Sequence, residues 1–252
     1  MPLNLSQPAP HVVQIEIDAE AKRNAMSRAM LAELADLWDR LDADHACRAI
    51  IVTGAGPKAF CAGADIGGDL SASPELAATV NRALLKTNGI SKPVIAAVNG
   101  DCAGGGVELL LSTDIRIAAP HARFGLPEVK WSIYPFGGAV VKLFRQIGHV
   151  HAMDLLLTGR LIAAEEAARL GLVNRVAPAG DVLAEALATA TAIAANSPPA
   201  VQAVKRHIAT MIAEHALSRE AMDQALGDQV RASPEFQEGV AAFLGKRRPN
   251  YD

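Results

Sequence analysis

Two carboxylates and two glycine-rich stretches are the features of this chain most suited to chemistry. Glu108 follows three consecutive glycines, Gly104 to Gly106, in VNGDCAGGGVELLL, and Glu128 lies among apolar residues in FGLPEV. A carboxyl group in apolar surroundings has a raised pKa and can act as a general acid or base. Taken singly, Glu108 also suits a glutamate that complements a helix dipole, and Glu128 suits a helix cap. Together they suit proton transfer on both sides of a double bond.

The glycines predict a turn that leads from a buried strand into a helix near Gly104 or Gly105. Free backbone N–H groups at such a turn suit a bound or developing anion, and glycine lets a ligand approach the backbone closely. FCAGAD (60–65) is a second glycine loop after a buried strand, and the two loops together suit an oxyanion hole. We expect Gly104 and Gly106 to keep side chains away from the ligand. Tight helix packing is an alternative, whereas a dinucleotide loop fits poorly because GxGxxG is absent there.

Other polar residues favour structural roles. Asp65 and Asp114 end apolar segments and are predicted to be caps or turn residues. His149 and His151 form an HxH pair beside a helix start, without a neighbouring carboxylate or cysteine, so we do not expect a metal site. GxSxG and HExxH are absent.

Hydrophobic periodicity predicts the elements that position these residues. Strands are predicted at 11–18, 49–54, 92–100, 114–119 and 173–178, with a short strand or turn in 121–128. Besides the glycine-turn helix, helices are predicted at 28–43 with Ser27 as cap, 74–89, 138–147, 149–157, 163–170, 181–196, 198–213, 218–230 and 234–245.

The order of elements predicts an α/β fold with a helical C-terminal region. Strands and helices alternate over the first two thirds of the chain, and the last third is helical. SPP at 197–199 is the clearest boundary, so we expect domains at 1–196 and 197–252.

Composition narrows the class of protein. The 252 residues carry a formal charge of −3, which favours neither nucleic acid nor an anionic membrane as partner. Three cysteines without a CxxC pair indicate a reducing compartment. The N-terminal residues lack the pattern of a secretory signal, and a run of about 18 apolar residues is absent, so a cytoplasmic protein is expected.

Six segments, which together span nearly the whole chain, match one protein family in order: KRNAM (22–26), IIVTGAGPKAFCAGADI (50–66), KPVIAAVNGDCAGGGVELLLSTDIRIA (92–118), ARFGLPEV (122–129), GRLIAAEEAARLGLVNRV (159–176) and FLGKRRPNY (243–251). Through these segments the chain resembles the enoyl-CoA hydratase/isomerase (crotonase) family. It implies a crotonase-like spiral of ββα units. It also implies that the C-terminal helices pack subunits into trimers, often dimers of trimers.

The resemblance implies an acyl-CoA thioester substrate and no separate cofactor. The thioester oxygen would be held by backbone N–H groups matching Ala64 and Gly105, and the catalytic glutamates match Glu108 and Glu128. Family members that hydrate a double bond have both glutamates, whereas many isomerases keep only the match of Glu128. Further residues match positions that contact CoA in the family. Ala62, Ala64 and Ile66 match positions near the adenine, and Lys22, Arg23, Ala25, Phe243 and Lys246 match positions elsewhere along the CoA molecule. In the family, the residues matching Phe243 and Lys246 often come from a neighbouring subunit. A solvated terminal cation is the alternative for Lys246.

The chain departs from the family pattern in KWSIYPFGG (130–138), where Phe136 stands at a position often held by glycine. Its backbone N–H would still be able to hold water, and its ring would shrink or redirect the acyl pocket. Core packing of Trp131, Tyr134 and Phe136 is the alternative. The loop at 67–75 is expected to line the acyl tunnel.

The two glutamates and the two glycine loops, together with the family resemblance, predict an enoyl-CoA hydratase. An isomerase or another enolate-forming acyl-CoA lyase of the same fold is the alternative. A non-catalytic acyl-CoA-binding or RNA-binding protein is a third hypothesis, which the acidic charge balance disfavours.

Overall fold

A computed structural model describes residues 2–65 and 73–252. The described residues form ten strands: β1 (Leu3–Ala9), β2 (Val12–Ile17), β3 (Ala49–Gly54), β4 (Ala59–Cys61), β5 (Val94–Val98), β6 (Asp101–Ala103), β7 (Ile115–Ala118), β8 (Arg123–Gly125), β9 (Leu161–Ala163) and β10 (Arg175–Val176). They also form nine α-helices: α1 (Arg28–Ala43), α2 (Pro74–Ala83), α3 (Gly105–Leu110), α4 (Ala139–Ile147), α5 (His149–Thr158), α6 (Ala164–Arg169), α7 (Val182–Ala194), α8 (Pro198–Arg231) and α9 (Pro234–Leu244).

Two sheets run side by side through the molecule. The larger has the order β1-β2-β3-β5-β7-β10 and is parallel except for the β1–β2 hairpin. The smaller has the order β4-β6-β8-β9, with only the last pair antiparallel. Three times in succession, a strand of the larger sheet leads directly to a strand of the smaller one: β3 to β4, β5 to β6, and β7 to β8. This repetition confirms the predicted spiral of ββα units.

The central strands of the larger sheet are buried on both faces, which explains why β3 and β5 consist of apolar runs without polar alternation. Ile50 and Val52 of β3 point into the main core, which also receives the apolar face of α1. Ala49 and Ile51 point to the opposite face, where they pack with alanines of α7. The small alanine side chains allow α7 to lie close to the sheet.

Several predicted boundaries hold because their local signals are strong. Ser27 caps α1 by accepting a hydrogen bond from the Met30 N–H at 3.2 Å, and β3 spans the predicted residues. The helix predicted at 74–89 instead ends at Ala83, and Leu85 has a φ of 48°. Its last carbonyls have tertiary partners, since the Trp38 indole N–H donates to Ala83 and the Ser112 hydroxyl donates to Leu84.

The C-terminal region differs most from the prediction. The helices predicted at 198–213 and 218–230 are one continuous helix, α8, because the intervening Glu-His-Ala-Leu contains neither glycine nor proline. Helix α8 packs on α4, and α9 packs on the short 3₁₀ helix Pro127–Trp131. The division at residue 196 stays a prediction. In the described part of the chain, the length and hydropathy needed to cross a membrane are not combined in any helix.

Candidate active site

The two glycine loops meet at one point of the structure. A Cβ atom placed on Gly63 would lie 3.2 Å from the backbone nitrogen of Gly105, and one placed on Gly105 would lie 3.5 Å from the nitrogen of Ala64. The loops are brought together because β4 and β6 are neighbouring parallel strands of the smaller sheet. The backbone nitrogens of Ala64 and Gly105, the two residues that the resemblance implies for the oxyanion hole, therefore lie close together.

Neither of these N–H groups has an acceptor within the described residues. Met26 forms a parallel bridge at Ala64, with its N–H donating to Gly63 O at 2.8 Å and its carbonyl accepting from Asp65 N–H at 2.9 Å. Because N–H groups alternate in direction along an extended chain, the Ala64 N–H points away from Met26. Gly105 is the first residue of α3, where N–H groups have no partner in the helix. The pair can donate to a single external oxygen.

Each of the three glycines of the turn is required for a different structural reason. Gly104 has a φ of 55°, and a Cβ there would lie 3.3 Å from Glu128 Oε1. Gly106 corrects our expectation, because a Cβ there would clash with the carbonyl of Cys61 on β4 rather than reach toward a ligand. Gly106 allows α3 to pack on the smaller sheet, which was the alternative reading of the glycines.

Glu108 is a residue of α3, and its buried carboxyl group lies at the N-terminus of α4. Its Oε1 accepts a hydrogen bond from Ala139 N–H at 3.2 Å, and a Cβ on Gly137 would clash with Oε2. Burial raises the pKa of Glu108 to about 6, while the Ala139 and Gly137 N–H groups and the ammonium groups of Lys86 and Lys142 act in the opposite direction.

Glu128 lies in the first turn of the 3₁₀ helix Pro127–Trp131, opposite Gly104. Although the residue is half-buried, its Oε2 is shielded from solvent and has no hydrogen-bond partner among the described residues. Burial raises the pKa of Glu128 to about 8, and the nearby Glu108 carboxylate contributes to the increase. Both carboxyl groups therefore have raised pKa values, and the increase is larger for Glu128, which also faces the charge of Glu108.

Lys86 and Lys142 are buried cations that the sequence reading missed. Lys86 forms ion pairs with Glu220 at 2.7 Å and Asp223 at 3.1 Å, both on α8. The Lys142 ammonium instead donates to the Leu85 carbonyl at 2.6 Å and the Ser112 hydroxyl at 2.7 Å. In the sequence both lysines look like surface residues, because the partners that permit their burial come from distant segments.

The aromatic residues of 130–138 face the C-terminal helices. The Lys86 ammonium lies 4.7 Å from the centroid of the Phe136 ring, which also packs near Gly227 of α8. The Tyr134 hydroxyl donates to Asp223 at 2.9 Å. Trp131 and Phe243 pack edge to face at 5.2 Å between ring centroids within the same chain. Contact of Phe136 or Phe243 with a substrate stays a prediction.

The predicted CoA-binding segment lies beside the Ala64 loop. Ala62 N–H donates to the Arg23 carbonyl at 3.1 Å, and Lys22 forms an ion pair with Asp65 at 2.6 Å. The Arg23 guanidinium lies 3.6 Å from the Asp101 carboxylate, and Ala25 continues the segment toward Met26.

Asn24, which the sequence analysis missed, holds this segment in place from a buried position with a φ of 57°. Its side-chain amide donates to Ala55 O and Ala59 O at 2.9 and 2.7 Å.

Among the remaining predicted residues, Lys246 and Asp114 are described by the structure and lie away from the glycine loops and the two glutamates. Lys246 is exposed just after α9 and has a φ of 51°. Ile66 and most of the loop at 67–75 lie outside the described residues. Asp114 accepts a hydrogen bond from Val94 N–H at 2.8 Å and pairs with Lys205. Within residues 2–65 and 73–252, no group of three or more metal-ligating side chains could hold an ion.

Comparison with known proteins agrees with the fold. The sequence model described as Enoyl-CoA hydratase/isomerase matches residues 9–252. The chain is 42% identical to "Enoyl-CoA hydratase EchA19" of Mycobacterium tuberculosis over 96% of this chain and 93% of that one. It is 39% identical to "Mevalonyl-coenzyme A hydratase sidH" of Aspergillus fumigatus, over 98% and 93%. The crystal structure of carnitinyl-CoA hydratase from Mycobacterium avium has a TM-score of 0.91 and 35% identity, covering 100% of this chain and 98% of that one.

The chain therefore belongs to the enoyl-CoA hydratase/isomerase family. The family expected from the sequence is confirmed, and the names of the relatives support the prediction of a hydratase enzyme.

Proposed function

We propose that this protein is an enoyl-CoA hydratase that adds water across the C2–C3 double bond of a 2-enoyl-CoA thioester. The observation that carries the proposal is the pair of neighbouring carboxyl groups of Glu108 and Glu128 beside two backbone N–H groups that have no acceptor among the described residues. Because the pKa of Glu128 is raised more than that of Glu108, Glu108 is the better base of the two and Glu128 the better acid. Hydration at C2–C3 requires both.

The geometry suggests how the reaction proceeds. The thioester oxygen accepts hydrogen bonds from the N–H groups of Ala64 and Gly105, which stabilise the negative charge that develops on it. Glu108 removes a proton from water as the water oxygen bonds to C3. Glu128 delivers its proton to C2, and the electron pair of the double bond becomes the new C2–H bond.

The proton balance closes after each turnover. Glu108 ends protonated and Glu128 ionised, so one proton must return from Glu108 to Glu128, directly or through water, before the next substrate reacts. The product is a 3-hydroxyacyl-CoA with the elements of one water molecule added. Because the reaction involves no net oxidation or reduction, it calls for no redox cofactor.

The relatives support a CoA thioester as the substrate class, since their names refer to enoyl-CoA, mevalonyl-CoA and carnitinyl-CoA hydratases. We propose that Lys22, Arg23, Ala25, Ala62 and Ile66 follow the CoA moiety, as the resemblance implies. Phe243 and Lys246 would contact CoA in an assembled trimer.

A panel of 2-enoyl-CoA thioesters, from crotonyl-CoA to longer and polar acyl groups, tests this proposal. Loss of the conjugated enoyl absorbance and mass-spectrometric detection of the hydrated product are the expected results. Glu185→Gln, which replaces a half-buried carboxylate on α7 that pairs with Arg175, is the control and should keep the wild-type rate. Failure of the folded wild-type protein to hydrate any member of the panel would overturn the proposal.

A further inference from the structure

Lys142 is a buried cation that has no carboxylate as a direct partner. Its side chain is 2% exposed, and none of the described carboxylates lies within 4.0 Å of its ammonium nitrogen. A buried ammonium group without a counter-charge is costly, and most buried charges are paired. Burial therefore favours loss of the Lys142 proton unless a negative charge nearby stabilises the ammonium form.

Glu108 is the carboxylate placed to provide it. Helix α4 connects the two groups, because its first residue, Ala139, donates its N–H to Glu108 and Lys142 lies one turn later on the same helix. Ser112 forms a second connection, since its hydroxyl accepts from Lys142 and also lies 3.4 Å from the Glu108 carbonyl. The link through Ala139 reaches the Glu108 carboxylate, and the link through the half-buried Ser112 reaches the Glu108 main chain.

The other cations around this pair have hydrogen-bond or ion-pair partners of their own. Lys86 has Glu220 and Asp223 as partners, and Lys205 has Asp114. Arg116 donates to the carbonyls of Leu172 and Thr113 and to the Thr113 hydroxyl. The titratable groups that face Glu108 are Glu128, Tyr134, Lys86 and Lys142, and those that face Lys142 are Glu108, Lys86, Lys205 and Arg116.

We propose that Lys142 is a positioning residue whose buried ammonium group keeps Glu108 ionised and in place as the base of the hydration reaction. This inference rests on the proposed function for its catalytic meaning, but the charge coupling between the two residues does not. Burial lowers the pKa of Lys142 to about 7, and the Glu108 carboxylate raises it again, so each group favours the charged form of the other.

The coupling can be measured without substrate. Carbon-13 NMR of protein labelled at the glutamate carboxyl carbon would follow the titration of Glu108, assigned by its absence from Glu108→Gln. We expect Lys142→Met to raise the pH at which Glu108 titrates by about one pH unit. Lys142→Arg should restore the wild-type value.

Control variants separate charge from packing. Gln146→Met, on the same helix, removes a half-buried hydrogen bond to the Leu111 carbonyl without removing a charge, and should leave the Glu108 titration unchanged. If Lys142→Met does not fold, Lys142→Gln retains a donor for Leu85 and Ser112 and serves as the neutral variant. An unchanged Glu108 titration in the folded neutral variant would overturn the proposal.

The pH dependence of kcat/KM provides the catalytic readout. In Lys142→Met the acidic limb of the profile should move to higher pH by the same amount as the NMR titration, while Lys142→Arg keeps the wild-type limb. An NMR shift in a protein that hydrates no enoyl-CoA would support the coupling and reject the proposed function. A wild-type limb in an active Lys142→Met would reject the role of Lys142 in catalysis.

Discussion

At the level of single residues, Glu128, the proposed acid, lowers the stability of the folded protein when its carboxyl group is ionised. Its Oε2 is shielded from solvent without a partner among the described residues, and its pKa is raised from 4.5 to about 8. Because the folded state holds this proton more tightly than the unfolded state, stability falls as pH rises from about 4.5 to about 8.

Replacing Glu128 by glutamine should therefore stabilise the protein at alkaline pH. We expect the free energy of unfolding of Glu128→Gln to exceed that of the wild type by about 1–3 kcal/mol at pH 9, and the difference to become small near pH 4.5. Urea denaturation at the two pH values measures it. Equal stabilisation at both pH values would show that Glu128 does not titrate with a raised pKa.

At the scale of elements, the site depends on contacts between segments that the sequence reading recovered only in part. The bounds of α1 and β3, the glycine loops and the two glutamates follow from local signals: a serine cap, an apolar run and glycine spacing. Lys86, Lys142 and Asn24 were missed because tertiary contacts alone give them their roles. Helix α8 was predicted as two helices because its apolar pattern weakens in the middle while its helix propensity persists.

The packing of α3 on β4 predicts opposite effects for two neighbouring glycines. Gly105 has no positive φ, and a Cβ there makes an ordinary 3.5 Å contact with Ala64 N, so Gly105→Ala should fold with nearly wild-type stability. Its methyl group would block access to the two N–H groups and lower kcat about 10²-fold or more.

Gly106→Ala is the matched variant. Its methyl group would meet the Cys61 backbone carbonyl, which cannot move without distorting β4, so we expect a loss of about 3 kcal/mol or more in stability. Thermal denaturation of both variants, with the enoyl-CoA assay for any that fold, tests the pair. Similar stability losses at the two positions would contradict the geometry of the turn.

Helix α8 is held to the site by the buried ion pairs of Lys86. Asp223→Ala would leave Lys86 with one carboxylate and remove the acceptor of Tyr134, so we expect a loss of about 2–4 kcal/mol. Asp228→Ala, which breaks an exposed pair with Arg231 on the same helix, should cost less than about 0.5 kcal/mol. Chemical denaturation compares the two, and an equal cost would show that the Lys86 cluster does not anchor α8.

At the scale of the whole molecule, large apolar side chains remain exposed on two helices. Val150 and Leu157 of α5 are 75% and 67% exposed, and Val204 and Leu217 of α8 are 69% and 63% exposed. Exposed apolar surface of this kind is typical of a protein interface. With the resemblance to the crotonase family, it supports the prediction that the chain assembles as a trimer or a dimer of trimers.

Sedimentation velocity tests the assembly. We expect a species of three or six chain masses at micromolar concentration, and Leu157→Glu together with Val204→Glu should shift it toward smaller species if these helices lie in the interface. A monomer across the accessible concentration range would contradict the prediction.

We propose that Glu108 and Glu128 act together as the base and the acid of hydration. The most direct test is kcat for a 2-enoyl-CoA that the wild type hydrates, measured for Glu108→Gln and Glu128→Gln with thermal denaturation as a check on folding. We expect each variant to fold and to lose about 10²-fold to 10⁴-fold in kcat, because each lacks one of the two proton transfers. A folded Glu108→Gln that hydrates the substrate at nearly the wild-type rate would contradict it.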